Sequence, residues 1–328
     1  MPAKYLFDAE NIASRFGYVN RFVLGQSYDN TALFYDFLLL SRHRHLAAFV
    51  FSFIFVYFVS RCLVVSGRIN LDSLHDLLIF SFACVVGAVY LGQYSKESTS
   101  LLLVIAFMVL SNTRSGRLLW VVMACIYAAY FRPYWAIVVA LYLFFRFILN
   151  RGRTPAVFFL SIVFALFALA LMFNVVLGID LAYYRYVVND TRTYDVAANT
   201  MIKPILPVGG IILEWCNAVL QFILMFFPLP LISANPLYLV FFVMIASLGI
   251  RLWSMLKNLA NIPRELRATK SKECLGLLMA FVTVQSIFEP DYGSYIRHLM
   301  PMLPVALFIT CRNSIFYGYL KEGRAGNG

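Results

Sequence analysis

The chain has 328 residues, 62% of them hydrophobic and 13% charged, against about 45–50% and about 25% in a soluble globular chain. Surface-to-volume scaling demands far more polar residues on the exterior of a soluble protein of this size, so the composition excludes that class and implies a bilayer protein. The net charge of +11 reads as Lys and Arg retained in cytoplasmic loops and not as a nucleic-acid footprint.

The opening segment 1–45 is polar to amphipathic. It has no apolar core of the kind a cleavable signal peptide needs, so none is expected. Residues 46–311 form the expected transmembrane domain and 312–328 a basic tail. A hydrocarbon core of about 30 Å takes roughly 20 apolar residues per helix. Segments near 46–65, 74–94, 135–149 with its flanks, 157–178, 236–255 and 275–289 extended meet that length. The runs 98–110 and 118–130 reach only about 20 Å at 1.5 Å per residue and read as short embedded helices. The run 211–232 is interrupted by Pro228 and Pro230 and reads as a re-entrant hairpin. The expected fold is all-α: a polytopic membrane bundle of about eight to ten hydrophobic segments, short and re-entrant ones included.

The basic loop 256–273 and the tail with Arg312, Lys321 and Arg324 read as cytoplasmic, as does the turn at Arg151 and Arg153. The polar loop 179–210 and the segment from Glu289 to His298 then fall outside, together with Lys96, Glu97 and Arg132. The same count exports Arg42 and Arg44, against the charge rule, so one short segment crosses differently. The polar stretches are too short for a soluble catalytic domain, and any chemistry must come from membrane helices and their loops. Cys62, Cys84, Cys125, Cys216, Cys274 and Cys311 stand singly and read as buried apolar residues. No metal, nucleotide or dinucleotide motif is present, so no metal or cofactor is expected.

Ionisable groups at the lips of membrane helices are costly, and each is a functional candidate. They gather in four places. Tyr94, Ser95, Lys96 and Glu97 end the second long apolar run, where the plain alternative is an interfacial cap. Arg132 stands before Pro133, Tyr134 and Trp135, where the alternative is a snorkelling cation in an aromatic belt. Arg185, Arg192 and Asp195 share the polar loop, which otherwise reads as a solvated connector. Glu289, Asp291, Arg297 and His298 lie within ten residues, pinned by Pro290 and Gly293. Guanidinium forks grip phosphate oxygens, a carboxylate or His298 can take a proton from a hydroxyl, and the flanking aromatics suit sugars. The combination points to sugar transfer from a polyprenyl carrier, with a carrier protein for such a lipid as the rival class. His43, His45 and His75 read as interfacial.

The opening Lys4 to Ile12, the triplet Ser95-Lys96-Glu97, the run Phe131 to Trp135 and the closing Phe288 to His298 together resemble the bacterial Wzy and EpsG-type membrane polysaccharide polymerases. The resemblance implies an inner-membrane glycosyltransferase of the broad GT-C kind. Such an enzyme joins oligosaccharide units carried on undecaprenyl pyrophosphate at the extracytoplasmic face. Its partners would be the lipid-linked oligosaccharide, membrane lipids, and assembly proteins such as a flippase and a chain-length regulator. In that family reading Arg132 and Arg297 hold the departing pyrophosphate. Glu289 or Asp291, or else His298, is the base. Lys96, Glu97, Tyr134, Trp135, Arg185, Arg192 and Asp195 contact or orient substrate. A transferase of single sugars from a polyprenyl phosphate is the nearest variant of this reading.

Overall fold

A computed structural model describes residues 3–60, 74–151, 154–192, 200–233, 236–261 and 269–310. Asp195, Arg264, Arg267, Cys62, Cys311 and the tail lie outside the described residues, and of Arg192 and His75 only the helical backbone is described. The described chain is helical, with one isolated bridge, Met201 to Asp291, as its only β pairing.

The elements are α1 (Ala3–Ala13), α2 (Ser27–Phe37), α3 (Arg44–Val59), α4 (Leu74–Leu91), α5 (Glu97–Leu110), α6 (Arg114–Tyr130), α7 (Trp135–Asn150), α8 (Pro155–Leu171), α9 (Tyr183–Arg192), α10 (Ile211–Phe226), α11 (Pro236–Asn261), α12 (Thr269–Phe288), α13 (Tyr292–Leu299) and α14 (Leu303–Thr310). Among the described residues three stretches are long and apolar enough to cross a bilayer: Pro155–Val176, Tyr238–Lys257 and Lys270–Phe288. The apolar helices α3, α5, α7 and α10 are 14 to 16 residues long, a rise of only about 21–24 Å. The short run 98–110 is the short helix α5, and the runs near 46–65 and 135–149, expected at spanning length, give helices of only 16 residues among the described residues.

Several stretches expected as connectors are helical. The N-terminal segment folds into α1 and α2, α9 forms inside the polar loop, and the basic loop is largely taken up by the ends of α11 and α12. The run 211–232 becomes α10, ending at Phe226, followed by a 3₁₀ turn over Leu229–Ser233. Pro228 and Pro230 lack the amide hydrogens that would continue the helix.

The described residues divide into two compact units: those up to 139 with 297–310, and those from 140 to 296. In the first, α1 packs on α2, α3 on α4, and α5 on α6, while the 3₁₀ turn Met300–Met302 packs against α5 and α4. Trp120 anchors the α5/α6 contact, its indole N–H donating to the Leu103 carbonyl at 3.0 Å and its ring meeting Phe107 edge-on. The N-terminus of α6 is capped by Thr113 Oγ1, which accepts from the Gly116 amide at 3.0 Å and satisfies one of the unpaired amides of the first turn. In the second unit α12 is central and nearly wholly buried, with α10 and α9 packed on it. Both α10 and α11 also pack on α8. Glu273, buried in α12, accepts from the Tyr142 hydroxyl at 2.5 Å and from Arg146 Nε at 2.8 Å.

Candidate functional site

The polar centre of the first unit is built on Glu97, the first residue of α5 and 1% exposed. A carboxylate there faces the unpaired amides and positive dipole end of the helix. Ser95 locks it from both sides: its hydroxyl donates to Glu97 Oε2 and accepts from the Glu97 amide. The buried Tyr35 hydroxyl in turn accepts from the Ser95 amide at 3.1 Å and pairs with Ser98 at 2.8 Å.

Three cationic or titratable groups converge on the Glu97 oxygen Oε1. Arg132 follows α6 and is held before Pro133. Its Nη2 donates to Glu97 Oε1 at 2.5 Å and its Nη1 to the Tyr134 hydroxyl at 3.0 Å. From the end of α13, Arg297 Nε lies 3.3 Å and His298 Nε2 3.7 Å from the same oxygen. The second fork of Arg297 meets a residue from the far end of the sequence, Nη1 lying 2.7 Å from Asp8 Oδ2 of α1. Asp8 also accepts the Tyr28 hydroxyl at 2.5 Å, and the Lys96 ammonium sits 3.8 Å from the centroid of the Tyr28 ring.

Among the described residues the cluster gathers the basic side chains of Lys96, Arg132 and Arg297 around the carboxylates of Asp8 and Glu97, in a part-buried setting where charges act strongly on one another. Burial raises the Asp8 carboxyl, but the charges of Arg297 and Lys96 outweigh it and hold the group below the ordinary range. Burial draws the Lys96 ammonium down to about 8, against the pull of Asp8. Arg132 is closed off behind Glu97, whereas the Arg297 side chain keeps 28% of its surface exposed. Arg297 therefore forms the approachable face of the cluster and Arg132 its buried support.

Of the residues singled out in the sequence, Lys96, Glu97, Arg132, Tyr134, Arg297 and His298 meet in this unit. Trp135 lies beneath them, buried edge-on against Tyr127 at 5.5 Å. It supports the site from the core and presents no surface to a substrate. The sequence reading missed Asp8 and Tyr28 as members. Asp8 entered the sequence reading only as part of the opening motif Lys4 to Ile12, because a carboxylate after Leu6-Phe7 does not by itself stand out among solvated helix faces.

The remaining candidates belong to the second unit. Asp291 stands just before α13 and its Oδ1 accepts the Ser294 amide at 2.7 Å, the geometry of an N-cap. The backbone on either side is tied down as Ile202 donates to the Pro290 carbonyl at 2.8 Å and Tyr292 to the Thr200 carbonyl at 3.0 Å. Glu289 is buried. Arg185, on α9, is buried as well and donates to the Ser286 carbonyl; burial pulls it down to about 10, against the fields of Tyr186 and Glu289. Nearby, Glu214 accepts the Tyr186 hydroxyl at 2.9 Å. Among the described residues no group of three or more His, Cys, Asp or Glu side chains is placed to hold a metal. No family model matches the chain, and neither a curated protein nor a solved structure matches it significantly.

Proposed function

We propose that this chain is a polytopic membrane glycosyltransferase of the GT-C kind, with about eight to ten hydrophobic segments, in a bacterial inner membrane. It polymerises oligosaccharide units carried on undecaprenyl pyrophosphate at the extracytoplasmic face. The observation that carries this reading is the gathering of Lys96, Arg132 and Arg297 around Glu97 and Asp8 in one part-buried cluster, with the Arg297 side chain partly exposed. A lipid-linked pyrophosphate is an anion that meets such a cluster at a membrane surface. The three long apolar stretches and the resemblance of the scattered motifs to Wzy and EpsG-type polymerases support it further.

In the transfer, an acceptor hydroxyl oxygen attacks the anomeric carbon of the donor sugar. The new C–O bond forms as the bond to the pyrophosphate oxygen breaks, and the polyprenyl pyrophosphate leaves with the electron pair. Arg297, backed by Arg132 and Lys96, stabilises that developing charge, commonly the largest catalytic contribution. The hydroxyl proton goes to His298, which stands against Glu97 at 3.7 Å. Glu97 itself is a poor base because Arg132 and Arg297 hold it ionised, and Asp8 is similarly committed to Arg297.

The test is elongation in proteoliposomes containing lipid-linked oligosaccharide and the purified chain. Longer lipid-linked glycans are expected with wild type, and a loss of at least about a hundredfold with Arg297→Ala, the scale of removing one preorganised charge-stabilising group. A change in the sidedness of the lipid without elongation would replace this reading with transport.

A further inference from the structure

A groove of about 340 Å³ opens in the second unit, where the start of α8, the end of α10 and the last turns of α11 converge on α12. Its walls include Phe158, Ile162, Phe222, Phe226, Ile250 and Trp253, and every lining residue is apolar or aromatic. Gly249 shapes one side. A Cβ there would stand 3.1 Å from Phe226 Cβ and 3.2 Å from the Phe226 carbonyl oxygen, so the glycine lets α11 close on α10.

The position of the groove along its helices says what can fill it. The apolar stretch of α11 ends at Lys257 and that of α8 begins at Pro155, so the groove descends from one membrane face into the hydrocarbon. At its mouth Trp253 is about half exposed, with the Lys257 ammonium 5.5 Å from its ring centroid. An amphipathic ring and a cation one helical turn apart mark the headgroup level. A water-soluble ligand has no polar partner inside, whereas a lipid chain matches the walls and an anionic headgroup matches Lys257. In the sequence Lys257 opens into the basic segment 256–273, and such segments face the leaflet with the negative surface potential.

We propose that the groove holds one acyl chain of an anionic phospholipid of that leaflet, with its phosphate on the Lys257 ammonium. This site stands apart from the proposed transferase activity and does not depend on it.

The full-length chain, purified in detergent and offered equal amounts of phosphatidylglycerol and phosphatidylcholine, tests this by native mass spectrometry. Phosphatidylglycerol is expected to be retained about fivefold better, the ratio set by one lysine near an anionic headgroup. Lys257→Gln should abolish that preference. Ile250→Trp, which fills the groove from its exposed side, should remove both lipids, while Leu239→Trp, exposed on the same helix outside the groove, should remove neither. Equal retention of the two lipids by wild type would overturn the proposal, as would a preference that survives Lys257→Gln. So would equal loss with Ile250→Trp and Leu239→Trp. Displacement of bound phosphatidylglycerol by an equimolar long-chain polyprenyl phosphate would reassign the groove to that carrier.

Discussion

Glu97 has one carboxylate oxygen shared by Arg132, Arg297 and His298, and its removal exposes the logic of the cluster. Glu97→Gln leaves Arg132 buried without its counter-charge, a loss of about 3–5 kcal/mol. The expected outcome is a markedly lower unfolding temperature in detergent, whereas a half-buried, solvent-reachable ion pair such as Arg15 to Asp29 contributes about 1 kcal/mol. Lys96 makes a prediction with a defined sign. Its value falls from 10.5 to about 8 because burial disfavours the charged form. Between those values the unfolded chain binds more protons than the folded one, so stability rises with pH across that window. Lys96→Met should flatten the rise in pH-dependent melting; an undiminished slope would assign the titration to another group. At this scale the sequence was partly legible. Lys96, Glu97, Arg132 and Arg297 stand out because charge at the lip of an apolar run is costly. Asp8 did not, because a carboxylate on an amphipathic helix is ordinary until its partner is known.

At the level of elements, hydropathy and Pro marked the apolar runs, but α3 and α7, expected at spanning length, are 16 residues long, and α1, α2 and α9 form in stretches without an apolar run. Helix contacts were not legible. Gly87 lies in an apolar run that gives no sign of special need, yet a Cβ there would fall 2.5 Å from Phe55 Cδ1 and Cε1, where α4 crosses α3. Gly87→Ala should cost about 1–3 kcal/mol through overpacking, read as a lower unfolding temperature. Phe55→Leu should recover part of that loss in the double variant. If the two changes instead add independently, the contact is not the source of the penalty.

For the molecule as a whole, charge asymmetry and span length set the expected topology. Pro155–Val176 is long enough for a single crossing, so a periplasm-dependent phosphatase fused after Arg151 should be inactive and one fused after Gly209 active. Activity at both sites would show that α8 does not cross alone and would reverse the sidedness assigned to the polar loop.

The sequence by itself determined the class of the protein, because an excess of apolar residues over any possible core volume is a property of composition. It also marked the apolar helices, since hydropathy and Pro act over a few positions, but not α1, α2 or α9, which form in polar stretches. Which charges meet was decided only by the tertiary structure. Asp8, Glu97, Arg132 and Arg297 are far apart along the chain, and a carboxylate carries no local mark of its guanidinium. Their pairing depends on which helix ends the packing of α1, α5, α6 and α13 brings together. The same holds for Asp291, which reads in sequence as a candidate base and in the folded chain as the cap of α13, because a hydrogen bond to the backbone exists only once the helix does.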